Sequence, residues 1–307
     1  MSAGWVAGSV RARAMTRRRI GVAAVHDLAQ CPSLDEAVAA LARTSYGHEV
    51  SVGQDLASAQ ASVVASAVWN LRVLAGWQPQ RGVTTIRLLS GLVEAVNVIA
   101  HLEGLLGAEP RPTYRLGALG TAWSRIATTT TPDQVRQVLA TSGWGDPGGS
   151  SLREVALGMR TGLADRIVGA VPDAAAWAAG DAALLLAREA ILKGRPLPDR
   201  ARLVTGRMLG PAALGARTLS QLRESLPPLA RWALDGVEEP HDLWRAEGRW
   251  WRRLADDGAA LVRSSRPGEP VLVGAVALLA ADAWQVRAAL EVAARGGSEI
   301  GVLDEVG

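Results

Sequence analysis

Apolar residues recur every three to four positions along most of this chain, the period of a helix that buries one face. Few stretches alternate between apolar and polar as a half-buried strand would. The pattern predicts long helices over residues 5–28, 54–75, 84–106, 152–171, 173–193, 241–257 and 271–295, with a shorter one over 114–126. Val10, Ile20, Val22 and Val25 mark the apolar positions of the first; Val64, Val68, Leu71 and Leu74 mark those of the second. In the third, Ile86, Leu89, Val93, Val96 and Ala100 form a stripe that predicts a central packing position. In the 241–257 segment Trp244, Trp251 and Ala255 fall on one side with Leu243, Trp250 and Leu254 beside them, which predicts a core stripe with an arginine-rich outer face.

Helix starts punctuate this pattern at a regular spacing. Ser33 with Glu36, Thr131 with Gln134 and Thr218 with Gln221 each place a hydroxyl three residues before a Glu or Gln, the arrangement of a capping box. Each is followed after 17 to 20 residues by a second cap signal: Ser51 with Gln54, Ser151 with Glu154, and Asp235 with Glu238. The recurrence predicts a triplicated helical unit of about a hundred residues; three unrelated helix pairs are the alternative. Pro/Gly-rich connectors near residues 107–112 and 194–198 divide the units at 1–108, 109–198 and 199–307, the last ending in a loose 298–307 tail.

Composition supports an all-α fold. Aromatic residues make up only 4% while apolar residues make up 49%, with Ala, Leu and Arg dominant. All but one of the 33 basic residues are Arg, the exception being Lys193. A net charge of +3 over 307 residues does not mark a nucleic-acid binder. The single Cys31 has no intramolecular disulfide partner, which fits a reducing compartment. No membrane span is expected, because the 271–281 apolar run is too short and reads as a buried helix, and no signal peptide is expected, because the first twenty residues have no adequate apolar core and no cleavage signal follows. Arg11, Arg13, Arg17, Arg18 and Arg19 cluster near the N-terminus; they read as a solvated face, or as a surface for an acidic protein or anionic headgroups.

Catalytic and cofactor motifs are missing from the pattern. The Gly-rich 145–151 loop lacks the Lys-Ser/Thr of a phosphate-binding P-loop and reads as a connector ending in the Ser151 cap. His101 shares a helix face with Asn97 but has no second histidine at ligand spacing. Asp256 and Asp257 are adjacent and so diverge on a helix. No catalytic residue, metal or cofactor is expected.

Four short segments resemble one family. Val10-Arg11-Ala12-Arg13 is similar to an arginine-rich opening helix, Leu41-Ala42-Arg43-Thr44-Ser45-Tyr46 to an L-x-x-T-x-Y motif, and Glu94 to Leu102 to a D-x-x-N-hydrophobic segment, with Glu94 where Asp is common. Trp284-Gln285-Val286-Arg287 and the residues after it resemble a terminal helix. All four are features of the C/d family of central-stalk proteins, found in the archaeal-type and vacuolar-type rotary ATPases. The resemblance implies a funnel of three similar helical bundles around a pseudo-threefold axis. It further implies a non-enzymatic rotor component, peripheral on the cytoplasmic side of the membrane, that joins the central-axle subunits to the membrane proteolipid ring. Arg11 and Arg13 are the candidate contacts to neighbouring members of that complex. A generic α-helical scaffold is the alternative; a small-molecule enzyme or a nucleic-acid binder fits the residues less well.

Overall fold

The computed structural model describes residues 3–297 and is all-α, with no strand among the described residues. Its helices in chain order are α1 (Ala3–Thr16), α2 (Gly21–Ala29), α3 (Leu34–Leu41), α4 (Leu56–Ala75), α5 (Gln80–Leu89), α6 (Gly91–Leu105), α7 (Trp123–Ile126) and α8 (Pro132–Ala140). They continue as α9 (Leu152–Ala170), α10 (Ala175–Leu186), α11 (Asp199–Leu209), α12 (Pro211–Gly215), α13 (Leu219–Ser225), α14 (Pro228–Arg231), α15 (Leu243–Val262) and α16 (Glu269–Ala294). A π-helical turn, Ala187–Leu192, extends α10. The expected 298–307 tail lies outside the described residues.

Cap chemistry explains where several helices begin. The hydroxyls of Ser33, Thr131, Thr218 and Ser151 each accept the backbone N–H three residues on, at 3.2–3.3 Å. The reciprocal half of the box closes onto the cap's own N–H only at Ser151, which donates to Glu154 Oε2 at 3.2 Å. Gln134 and Gln221 instead accept from the N–H of the residue before the cap, Thr130 and Arg217. Two expected caps are corrected. Asp55, not Ser51, caps α4, because its carboxylate accepts the Ser58 N–H at 2.7 Å while Gln54 folds back onto Ser51. Asp235 follows a short 3-10 turn and starts no helix.

Two predicted long helices are broken. The 5–28 segment stops at Thr16 and restarts at Gly21, whose φ of 76° breaks the right-handed helical course between α1 and α2. The 84–106 segment starts earlier, at Gln80, and bends by 51° at Ser90. After the bend the buried face carries Glu94, Ala95, Asn97 and Val98, and Val96 of the expected stripe is exposed. Residues 114–126 form an irregular strap ending in the single turn of α7 instead of a helix.

Contacts group the chain into two compact units, 1–86 with 251–307, and 87–250. In the first unit α16 is the axis, about 39 Å long at 1.5 Å per residue, and α1, α2, α3 and α4 all pack on it. Val286, Ala289, Leu290 and Ala293 of α16 meet Val25, Leu28, Val38, Leu41 and Val63 in one core. This helix is long and apolar enough to cross a membrane, yet 72% of its most apolar window is buried within the protein. Gly274 makes a close approach possible: a Cβ there would lie 2.5 Å from the Gly258 carbonyl oxygen on α15.

In the second unit α9 is buried on two sides. Val155, Met159 and Leu163 face Val98, Leu102, Val135 and Leu139, while Leu157 and Ala164 join the larger cluster of α10, α11 and α13. Leu243, Ala246 and Trp250 of α15 complete that cluster, so Trp250 and not the exposed Trp244 carries the core face of the tryptophan-rich segment here.

Candidate functional site

Buried carboxylates need partners, and tracing them leads back to the segments singled out above. Asp282 lies on the apolar face of α16 and is 2% exposed. Its Oδ2 accepts the Tyr46 hydroxyl at 2.8 Å and its Oδ1 accepts the Gly21 N–H at 3.1 Å. Tyr46 is positioned by a local turn in which the Thr44 hydroxyl donates to Leu41 O and accepts from the Tyr46 N–H. Burial first, then the Asp282 charge and the hydrogen bond, push the Tyr46 hydroxyl far above its ordinary value, with Arg19 opposing. The phenol therefore stays a donor at any physiological pH.

Glu94, Asn97 and His101 share one face of α6 at i, i+3 and i+7, and each takes hold of the strap. Glu94, 1% exposed, accepts three backbone N–H groups, from Thr121, Ala122 and Trp123, at 2.6–2.8 Å. The Asn97 amide pairs with both backbone groups of Tyr114, at 2.8 and 2.9 Å. His101 Nε2 lies 3.0 Å from the Thr129 hydroxyl and meets the Trp123 ring edge-on. These bonds replace the helical ones that residues 114–126 would have made among themselves. His101 is thus a strap contact, and among the described residues no group of three or more His, Cys, Asp or Glu side chains could hold a metal ion.

Arg11 and Arg13, two residues apart on α1, have different surroundings. The Arg11 guanidinium sits over the Trp77 ring, 5.8 Å from its centroid, and its buried Nε has no partner among the described residues. Arg13 reaches the C-terminal end of α15, donating from Nε to Val262 O at 3.2 Å and from Nη2 to Ser264 O at 2.5 Å. A cation placed there satisfies end carbonyls and opposes the helix dipole. Beside it lies a cleft of about 440 Å³ lined by Arg13, Thr16, Arg17, Arg263, Ser264 and Ser265, with Val262 as its apolar member. Among the described residues no carboxylate lines it. Arg17 and Arg263 are exposed and have no acidic partner among the described residues.

Sequence reasoning singled out neither Asp282 as a partner for Tyr46 nor the 263–265 loop. A lone acid interrupting an apolar run was the one readable signal for Asp282. The loop carries no recognisable motif, and only folding brings it to the arginines of α1.

A second set of ion pairs ties α9 to α10 and its π turn. Arg160 makes a two-pronged contact with Asp181, at 3.1 and 2.5 Å. Glu189, 5% exposed, accepts from Arg153 at 3.0 Å and from Lys193 at 2.7 Å. Burial alone would raise the Glu189 carboxyl; these two cations outweigh it and hold the group below the usual carboxylate range. No family model and no curated protein matches the chain.

Proposed function

We propose that the chain is a non-catalytic central-stalk rotor component of a vacuolar/archaeal-type ATPase, peripheral on the cytoplasmic side of the membrane, coupling the rotating axle to the proteolipid ring. The observation that carries this reading is the Tyr46–Asp282 hydrogen bond, 236 positions apart in sequence. It joins the L-x-x-T-x-Y-like segment to the helix that contains Trp284-Gln285-Val286-Arg287. Two of the segments that resemble the rotor family thus serve one purpose here, fastening an early turn to the axial helix.

The same bonds would stiffen the body mechanically. A part that transmits torque must not shear internally, and apolar contacts alone are non-directional. Charge-assisted hydrogen bonds with fixed geometry resist sliding, and Asp282 on α16 and Glu94 on α6 supply them inside each compact unit. The three-bundle, pseudo-threefold funnel belongs to this proposal as well.

The test is purification from native membranes in a mild detergent through a tag on this chain, with mass spectrometry of what co-elutes. Catalytic ATPase subunits and a proteolipid, with this chain at about one copy per complex, are the expected companions. Elution alone, under conditions that keep the ATPase intact, would overturn the assignment and leave a helical scaffold as the better description.

A further inference from the structure

We propose that the cleft between the end of α1 and the loop after α15 binds a phosphate group. This inference is independent of the rotor reading. Four features of the cleft point to an anion. Arg17 and Arg263 present guanidinium groups that no carboxylate of the described chain neutralises. Arg13, held by two backbone carbonyls, covers the C-terminal end of α15 and so removes the partial negative charge that would repel an anion there. The Ser265 hydroxyl faces the same space and has no partner among the described residues. The nearest acid along the chain, Glu269, is already engaged by Arg81 at 2.7 Å and by the Thr85 hydroxyl at 2.6 Å.

Geometry favours phosphate over a single carboxylate. Planar guanidinium forks bind phosphate oxygens two at a time, and two of them lining one cleft with the Ser265 hydroxyl suit a ligand that has several acceptor oxygens. The loop is pinned at both ends, since Gly268 donates its N–H to the buried Ser9 hydroxyl at 3.0 Å and Ser264 O is held by Arg13. A cleft of about 440 Å³ has room for a phosphate that carries an organic group. Both a soluble phosphate monoester and the headgroup of an anionic phospholipid present that chemistry.

The experiment uses the full chain in two arms. In one, calorimetry measures binding of inorganic phosphate and of glycerol 3-phosphate. In the other, flotation measures binding to phosphatidylglycerol vesicles, with phosphatidylcholine vesicles as the uncharged reference. The variant Arg17→Ala/Arg263→Ala should weaken binding at least tenfold with an unchanged melting curve, because both side chains are exposed and make no side-chain bond among the described residues. The control Arg43→Ala/Arg72→Ala removes the same charge from exposed positions elsewhere and should bind as the wild type does. Cleft-dependent binding in the soluble arm identifies a free phosphate ester; cleft-dependent binding in the vesicle arm alone identifies a headgroup. No binding in either arm, or equal losses in the variant and the control, overturns the proposal.

Discussion

Replacing Tyr46 by Phe removes one oxygen and leaves the ring in the core, so apolar burial is nearly unchanged. What is lost is the 2.8 Å bond to Asp282, a carboxylate only 2% exposed and unable to recruit water in its place. Hydrogen bonds to charged groups contribute about 1.5–3 kcal/mol, and a buried acceptor left unpaired loses most of that. The upper half of that range, about 2–3 kcal/mol, corresponds to roughly a 30- to 150-fold change in the folding equilibrium. Urea titration followed by tryptophan fluorescence reads it: with a slope of about 3 kcal/mol/M for a chain of this size, the midpoint should fall by about 0.7–1 M at unchanged slope. Tyr46→Phe combined with Asp282→Leu should recover part of the loss, because an apolar pair leaves no buried charge, and half-buried Gly21 can turn its N–H to water. The sign with pH is also fixed. A phenol whose folded pKa lies above the unfolded value of about 10 contributes stability that is complete below pH 10 and is lost as the pH rises further. The wild type should therefore lose stability more steeply than Tyr46→Phe above about pH 10. A midpoint shift below about 0.2 M would refute the claim that this bond fastens the early turn to α16.

Other expectations follow from the same geometry. Glu94→Gln should release the strap, seen as faster hydrogen exchange at the Thr121, Ala122 and Trp123 amides, because a neutral amide cannot replace a carboxylate that accepts three N–H groups. Gly158→Ala should destabilise more than Gly91→Ala in chemical denaturation. The added methyl would meet the Pro147 carbonyl oxygen at 2.4 Å in the first case and the movable Leu163 side chain at 2.8 Å in the second, where overpacking costs about 1–3 kcal/mol. Glu189→Gln should flatten the acid limb of the stability profile: a carboxyl held below its unfolded value of about 4.3 stabilises above that pH and loses its contribution as the pH falls through the folded value. Thermal melts between pH 7 and 3 check this.

Helix content and most helix starts were legible because they depend on neighbours in sequence. The hydroxyl caps at Ser33, Thr131, Ser151 and Thr218 need only a residue three positions away. Ser51 misled because it fits the same template, while the real cap at Asp55 uses a bare carboxylate with no Glu or Gln behind it. The irregular 114–126 strap was not legible, since it arises from bonds to distant groups: Glu94 and Asn97 take the strap's backbone partners, and no local pattern announces that. The same holds for the cleft. Arg13 and Arg17 attracted attention as a cluster, but their usefulness depends on a loop some 250 positions away.

The first compact unit is made from the two ends of the described chain, with α1–α4 closing on α16. On the ribosome that arrangement imposes a wait. At about 5–20 residues per second, the 182 positions between residue 86 and the start of α16 take about 10–40 s to emerge. During that interval Val25, Leu28, Val38 and Leu41 have no axial helix to cover them, while every residue of the 87–250 unit becomes available before α16 does. Nascent-chain holdases have their opportunity in that window, and a chain cut short before residue 269 would lack the helix on which α1–α4 pack.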